Sequence, residues 1–404
     1  MASKVSAYFL IRRFRLHYSK HRLIFMSVAQ EHNSNADGLR GIACLAVFFS
    51  HLAYTFYPYM HAAESVRYSF ESYIMNSPFS FFYSGSAGVY VFFVLSGFVL
   101  SSSFSKRFDS ILFFAFLLKR YIRLMVPVFF SCLIGWAVYS HIDINRTGIS
   151  EWASNLGTFD YSLRGAIFTG LIGAFGGDGV KTYNWVLWTM KIELIGSYIL
   201  ALLFISKKTN SAFFPAVAFL IFLSLGYYNG GDALYYGLAC FMSGSVIYKT
   251  NIKLSKKSSV AILILGLYFA GYKVQSYSYS SIFSDINNYL TEYTLFLFSG
   301  ILIVLFALKS NGINNILSTK SAIFLGKISF SLYLLQMVLI YAVAIPSFNY
   351  LSLRIDELAA SLISIIICVA ISLPVSWGFY LLFDKPAVLL SGRISKVLLQ
   401  FKTA

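Results

Sequence analysis

Two ionisable side chains share one face of an apolar segment near the start of the chain. Arg40 and His51 are eleven residues apart in the run NADGLRGIACLAVFFSHL. In an α-helix, eleven steps of about 100° leave an offset of only about 20°, with a rise of about 16 Å. A neutral imidazole can act as a general base, and Asp37 lies where it can pair with Arg40. The alternative is a buried histidine that a neighbouring helix merely satisfies.

Arg120 and Arg123 form a second pair, three residues apart at the start of another apolar segment. Side chains at this spacing lie on the same side of a helix. Two neighbouring guanidinium groups suit phosphate, because each can donate two parallel hydrogen bonds. The alternative is that both arginines only mark the membrane boundary and set topology.

Lys191 and Glu193 lie deep in a third apolar segment, two residues apart. Side chains at this spacing point in different directions on a helix, so the two charges cannot simply neutralise each other. Ionisable residues inside a membrane are costly and are functional candidates by default. Glu193 is therefore predicted to pair with an arginine or histidine of another helix. A purely structural buried ion pair is the alternative.

The segments that carry these residues are long and apolar. The chain has 404 residues, of which 58% are hydrophobic and 12% charged, whereas soluble proteins carry about 25% charged residues. Apolar stretches of about 20 residues cross a bilayer as helices, because every backbone polar group must be bonded internally. The sequence predicts an all-α fold, a polytopic transmembrane helix bundle of about ten spans. These spans are residues 39–58, 80–103, 121–140, 183–205, 211–228, 232–249, 258–275, 291–308, 322–345 and 358–383.

The charges between the spans predict their orientation. Basic runs fall in alternate loops and in the N-terminal segment, and loops of this kind face the cytoplasm. Residues 1–35 are then a basic cytoplasmic segment suited to an interfacial helix, residues 36–393 a single transmembrane domain, and residues 394–404 a cytoplasmic tail. Because the basic residues follow one membrane face, the net charge of +16 does not indicate a nucleic-acid partner.

The longest loop and the cysteines complete the pattern. Residues 141–182 fall outside and contain the Gly-rich run LIGAFGGDGV, which predicts a lid or a re-entrant segment. The four cysteines lie inside apolar segments and lack the spacing of metal ligands. They are interpreted as small buried hydrophobic residues, and no metal site is expected.

Six motifs, in order along residues 36–393, resemble those of the acyltransferase 3 family of integral membrane acyltransferases. The first span resembles the opening DGLRG signature with its following histidine, and GVYVFFVLSGFVLS resembles the FFxLSGF segment. KRYIRL resembles the paired-arginine motif, WTMKIE the W-S-L-x-x-E segment, LGKISFSLYLL the late G-x-I-S-Y-S-L-Y-L segment, and FDKP the closing E-x-P. The chain departs from the pattern at Asp384, where the family has glutamate, and at Gln336, where many members have histidine.

The resemblance implies transfer of an acyl group, usually acetyl, from cytoplasmic acyl-CoA to a hydroxyl of an extracytoplasmic carbohydrate. It implies that His51 is the general base or a covalent acyl carrier, and both routes stay open. The implied donor-binding residues are Arg40, Arg120, Arg123 and Asp37. The other implied catalytic residues, which would orient the histidine or polarise the oxyanion, are Glu193, Ser96, Lys191 and Tyr333.

The acceptor and two other functions are left open by the sequence. O-antigen, capsule, exopolysaccharide, peptidoglycan and lipid-linked glycans are all compatible acceptors, and the resemblance places the chain in a bacterial inner membrane, in contact with membrane lipid. No oligomeric state is predicted. A transporter would also bury charges, but it often has paired repeats or broken helices in two halves, and the sequence has neither. A non-catalytic scaffold would not need the aligned Arg40 and His51.

Overall fold

The computed structural model describes residues 34–104, 110–159, 161–177, 183–205, 211–283, 289–310 and 315–400. Helices dominate these residues, and their β-structure is a single isolated bridge between Leu254 and Ser310. The predicted all-α fold class is confirmed. The predicted interfacial helix within residues 1–35 lies almost entirely outside the described residues, and so does the end of the predicted tail.

Ten long helices correspond one to one with the ten predicted spans, and an eleventh follows them. They are α1 (Ser34–Phe56), α2 (Gly85–Phe104), α3 (Ser110–His141), α4 (Trp188–Ile205), α5 (Phe213–Tyr228), α6 (Ala233–Lys249), α7 (Lys256–Ala270), α8 (Tyr289–Lys309), α9 (Lys320–Leu339), α10 (Glu357–Phe379) and α11 (Lys385–Gln400). Shorter helices lie between them at Ser69–Met75, Glu151–Ser154, Leu163–Phe168, Tyr277–Phe283 and Ile345–Leu351.

Seven helical stretches in the described part of the chain are long and apolar enough to cross a membrane. They contain α1, α2, α3, α4, α8, α9 and α10. The helices α5, α6 and α7 have 16, 17 and 15 residues, which is shorter than the span of about 20 residues that a bilayer usually requires. The chain is therefore an integral membrane protein, and the count of ten spans depends on these three shorter helices.

Helix α9 lies at the centre of the bundle and packs along α1. The two helices touch backbone to backbone, because a Cβ atom on Gly41 would lie 2.6 Å from the backbone nitrogen of Gly326. Further along α1, the Cys44 thiol contacts the carbonyl oxygen of Ser329. In both pairs the two residues are 285 positions apart in the sequence. The offset is constant, so α1 and α9 run parallel and residues of one helix face fixed partners on the other.

The loop between α3 and α4 returns along α3. Its helix Leu163–Phe168 continues into a π-helical turn, Thr169–Gly173, that packs on α3. Gly170 lies against the backbone of Phe129, and the Tyr121 hydroxyl donates a hydrogen bond to the Leu171 carbonyl at 2.5 Å. Whether this loop is a lid or a re-entrant segment stays a prediction, and residues 160 and 178–182 lie outside its described part.

Another π-helical turn, Tyr380–Asp384, joins α10 to α11. Pro386 follows it and cannot donate the backbone hydrogen bond that a regular helix would make at that position. The widened turn leaves Asp384 only 8% exposed. The four cysteines are free and buried, as predicted.

Candidate active site

The site begins with α1, which presents Arg40 and His51 as the sequence predicts. The helix runs without a break from Ser34 to Phe56, so the eleven-residue spacing is fully helical. Arg40 Nη1 lies 3.2 Å from Asp37 Oδ1, and both side chains are about three-tenths exposed. The ion pair one turn apart holds the guanidinium near the beginning of α1, about 16 Å along the axis from His51.

His51 is held by residues of two other elements. Its Nδ1 lies 3.2 Å from Gln336 Oε1 on α9. Its ring stacks on Trp152 of the loop between α3 and α4, with centroids 5.6 Å apart and planes within 13°. Trp152 also stacks on Tyr54 at 4.7 Å and meets Trp185 edge-on at 5.2 Å. Among the described residues, His51 Nε2 has no hydrogen-bond partner and is the nitrogen left for a ligand.

Glu193 has the arginine partner that the sequence predicts for it. Arg120 Nη2 lies 3.1 Å from Glu193 Oε1, and Arg120 Nε donates to the Ser197 hydroxyl at 2.9 Å. The Ser96 hydroxyl donates to the same Glu193 oxygen at 2.7 Å. This network joins α2, α3 and α4. Glu193 Oε2 is buried and has no hydrogen-bond partner among the described residues.

The arginines belong to one mixed cluster of charge. Arg40 interacts electrostatically with Arg123, Glu193 and Asp384 as well as with Asp37. Asp384 in turn interacts with Arg123 and Arg40. Arg120 is buried, whereas Arg123 is exposed. The cluster therefore has one guanidinium fixed inside the protein, one partly exposed and one at the surface.

The side chains of Tyr333 and Lys191 hydrogen-bond to neither His51 nor Glu193 within the described residues, although Tyr333 interacts electrostatically with Glu193. The Tyr333 hydroxyl contacts Thr189 Oγ1 at 3.0 Å and the Val186 carbonyl at 3.1 Å, so it ties α9 to the beginning of α4. Lys191 lies beside Gly177 of the loop between α3 and α4. Within the described residues, neither side chain makes a hydrogen bond to His51.

Three residues of the site were not predicted from the sequence as site residues. Gln336 and Asp384 appear there only as departures from a motif, yet one contacts His51 and the other belongs to the charge cluster. Trp152 lies in a loop without periodicity and has no local signal. For Gln336 a signal exists, because it occupies the position of a motif histidine on a helix that packs against α1.

The fold defines an integral membrane helical protein with ionisable residues in its interior. A sequence model of the acyltransferase 3 family, described as an acyltransferase domain, matches residues 33–381. The match covers most of the chain, and the chain belongs to this family. Searches of curated proteins and of solved structures gave no match.

Proposed function

We propose that this membrane acyltransferase moves an acyl group, acetyl in the first instance, from acyl-CoA in the cytoplasm to a hydroxyl of an extracytoplasmic carbohydrate. The observation that carries the proposal is the position of His51 between a cluster of arginines and an aromatic loop residue. Arginines cluster around the beginning of α1, and the aromatic loop residue Trp152 covers the histidine further along the helix. A donor rich in phosphate and a ring-shaped acceptor can thus approach one base from opposite ends.

The chemistry requires one proton acceptor and no other covalent participant. The acceptor hydroxyl oxygen attacks the thioester carbonyl carbon while His51 Nε2 takes the hydroxyl proton. The C–S bond then breaks, and the imidazolium returns the proton to the departing thiolate, so the products are an ester and free CoA. An acyl-histidine route would divide the same exchange into two steps. In either route the un-bonded Nε2 is the reacting atom.

The three arginines are expected to differ in their contribution to donor binding. Arg123 and Arg40 are accessible and would contact the phosphates of CoA, while the buried Arg120 would orient Glu193. Because hydrogen bonds to charged groups contribute about 1.5–3 kcal/mol, Arg123→Ala should weaken acyl-CoA binding by about 10- to 100-fold. Arg354→Ala, in the turn between the helix Ile345–Leu351 and α10, is a matched control, since Arg354 is exposed and its guanidinium contacts Tyr350 of that short helix. Equal affinities of the two variants would remove Arg123 from the donor site.

The reaction itself is tested with radiolabelled acetyl-CoA and purified protein in liposomes, with and without an extract of bacterial surface glycans. His51→Ala is compared with His141→Ala, which removes an exposed histidine at the end of α3. Loss of a general base should lower transfer by about 10²–10⁴-fold. We expect label on glycan with the natural chain and His141→Ala only.

Two results would overturn the proposal. Normal labelling by His51→Ala would remove the base from the mechanism. Binding of acetyl-CoA by folded protein without transfer to any glycan fraction would favour the transporter alternative, and a flux assay in the same liposomes would then show solute movement.

A further inference from the structure

Gln336 is fully buried, and its amide can adopt only one orientation in its surroundings. Gln336 Nε2 lies 3.0 Å from the Tyr333 carbonyl oxygen, and Gln336 Oε1 lies 3.2 Å from His51 Nδ1. A carbonyl oxygen only accepts hydrogen bonds, so the amide NH₂ group must face Tyr333. The opposite orientation would place two oxygens in contact. Oε1 therefore faces His51, where it needs a donor.

The orientation of the amide determines which nitrogen of His51 carries the proton. In a neutral imidazole one ring nitrogen donates and the other accepts. Because Gln336 Oε1 can only accept, His51 Nδ1 carries the hydrogen, and Nε2 is left with its lone pair. His61 interacts electrostatically with His51, and its own Nε2 donates to the Ser50 carbonyl.

The contact between His51 and Gln336 is maintained by the packed backbones of α1 and α9 rather than by the loop that carries Trp152. His51 and Gln336 are separated by the same offset of 285 residues as Cys44 and Ser329 nearer the beginning of α1. The close approach of Gly41 to Gly326 fixes this register one turn earlier. Gln336 thus faces His51 because two parallel helices are held in contact, and movement of the Trp152 loop would not displace it.

We propose that Gln336 is a positioning residue that keeps the proton of His51 on Nδ1 and so reserves Nε2 for the acceptor hydroxyl. The proposal rests on the proposed function of His51. During transfer, Nε2 gains the proton of the hydroxyl and later returns it to the thiolate, while Nδ1–H stays bonded to Gln336. An amide does not titrate, so the same hydrogen-bond acceptor is presented over the whole working pH range.

Two substitutions separate this role from simple packing. Gln336→Met keeps the length of the side chain but has no strong acceptor, so kcat should fall by about 10- to 100-fold, a part of the effect of general-base catalysis. KM for acyl-CoA should change by less than about twofold, because ground-state binding is untouched. Gln336→Glu keeps an acceptor oxygen and adds negative charge. The acid limb of its pH–rate profile should move to higher pH by about one to three units, because a carboxylate favours the protonated imidazole.

Ser299→Ala is the matched control for the loss of a buried polar side chain. Ser299 is fully buried on α8, and its hydroxyl has no hydrogen-bond partner among the described residues. The kcat and the pH–rate profile of Ser299→Ala should equal those of the natural chain.

The outcomes distinguish this proposal from the proposed function. If the natural chain transfers label, His51→Ala does not, and Gln336→Met keeps full kcat, the positioning role fails while the enzyme stands. A Gln336→Glu profile that coincides with that of the natural chain would refute it too. If the natural chain transfers no label, the proposed function itself fails.

Discussion

The Arg120–Glu193 ion pair gives the sharpest test of how the interior of this bundle is stabilised. The two side chains are 10% and 18% exposed, and their charged atoms lie 3.1 Å apart. At a charge separation of about 4 Å and an effective dielectric constant of about 20, the attraction is about 4 kcal/mol. Removing one partner leaves the other charge buried, which costs about 3–5 kcal/mol.

The hydrogen bonds around the ion pair reduce the expected cost of removing one partner. Arg120 keeps its bond to Ser197 when Glu193 is replaced, and Glu193 keeps its bond from Ser96 when Arg120 is replaced. These remaining bonds soften either loss, so we expect about 3 kcal/mol for Arg120→Met and for Glu193→Leu. The double variant buries no uncompensated charge. Because a buried pair can often be replaced by apolar residues without loss, it should unfold within about 1 kcal/mol of the natural chain.

The assay is a double-mutant cycle on purified protein, with unfolding followed in mixed micelles of increasing denaturing detergent. A coupling energy of several kcal/mol is expected, since neighbours in one network are not additive. Single variants that cost less than about 1 kcal/mol would show that the pair behaves as an exposed one, and the reasoning would be refuted. Activity of the stable double variant then decides the role of the pair: a folded but inactive protein assigns the Arg120–Glu193 pair to the working site, and an active one assigns it to structure.

Three further predictions concern other parts of the molecule. Cysteines introduced at the exposed Asn229 and Asn251, which precede and follow α6, should react with a membrane-impermeant thiol reagent from opposite sides of intact vesicles, since the four native cysteines are buried. Trp152→Ala should raise KM for the glycan acceptor by about 2- to 12-fold without changing acyl-CoA affinity, measured by steady-state kinetics, because a ring stacked on an aromatic surface contributes about 0.5–1.5 kcal/mol beyond burial. Burial and the nearby Lys273 hold the pKa of His61, which lies beyond the end of α1, well below 6.5. The unfolded chain therefore binds more protons below pH 6.5, so folding should lose up to about 1.4 kcal/mol per pH unit as the pH falls. His61→Gln should reduce that slope in the same unfolding assay, and an unchanged slope would contradict the assignment.

The fold was predictable because membrane helices are specified locally. Each apolar run must satisfy its own backbone, so length and composition identify the helix without knowledge of its neighbours. All ten predicted segments are helices, with boundaries that differ by two residues or fewer at most positions and by eleven at the beginning of α3, which starts at Ser110. The difference arises because α3 begins in a preceding apolar run, ILFFAFLL, and continues as one helix through Lys119 and Arg120 into the predicted span.

The site was predictable only where its residues share one helix. Arg40 and His51 could be related by helical periodicity alone. The contact of Gln336 with His51 joins residues 285 positions apart, and single-sequence periodicity says nothing about which helices pack together. Likewise the partner of Glu193 was predicted by charge type, whereas its identity as Arg120 required the packing of α3 on α4.

The direction of the helices bears on the count of spans in a way that composition does not. Gly196 of α4 lies against Phe241 of α6, and Gly237 of α6 lies against Ile192 of α4. The two contacts have the same offset, so α4 and α6 run parallel. Only α5 connects them, and it must therefore run back across the bundle despite its 16 residues.

The parallel arrangement of α1 and α9 extends this reasoning to the whole chain. If only the seven long helices crossed, four crossings would lie between α1 and α9 and the two would be antiparallel. Their constant offset shows that they are parallel, so an odd number of the three shorter helices must cross as well. Helix α7 runs opposite to α8, because Gly266 within α7 lies against Ile303 within α8, whereas Leu254 before α7 lies beside Ser310 after α8. This direction is compatible with a crossing by each of the three shorter helices. A 16-residue helix rises about 24 Å, and a bilayer can thin locally to match it at modest cost. The directions of these helices are compatible with the ten predicted spans, and seven helices in the described part of the chain are long and apolar enough to be counted by length.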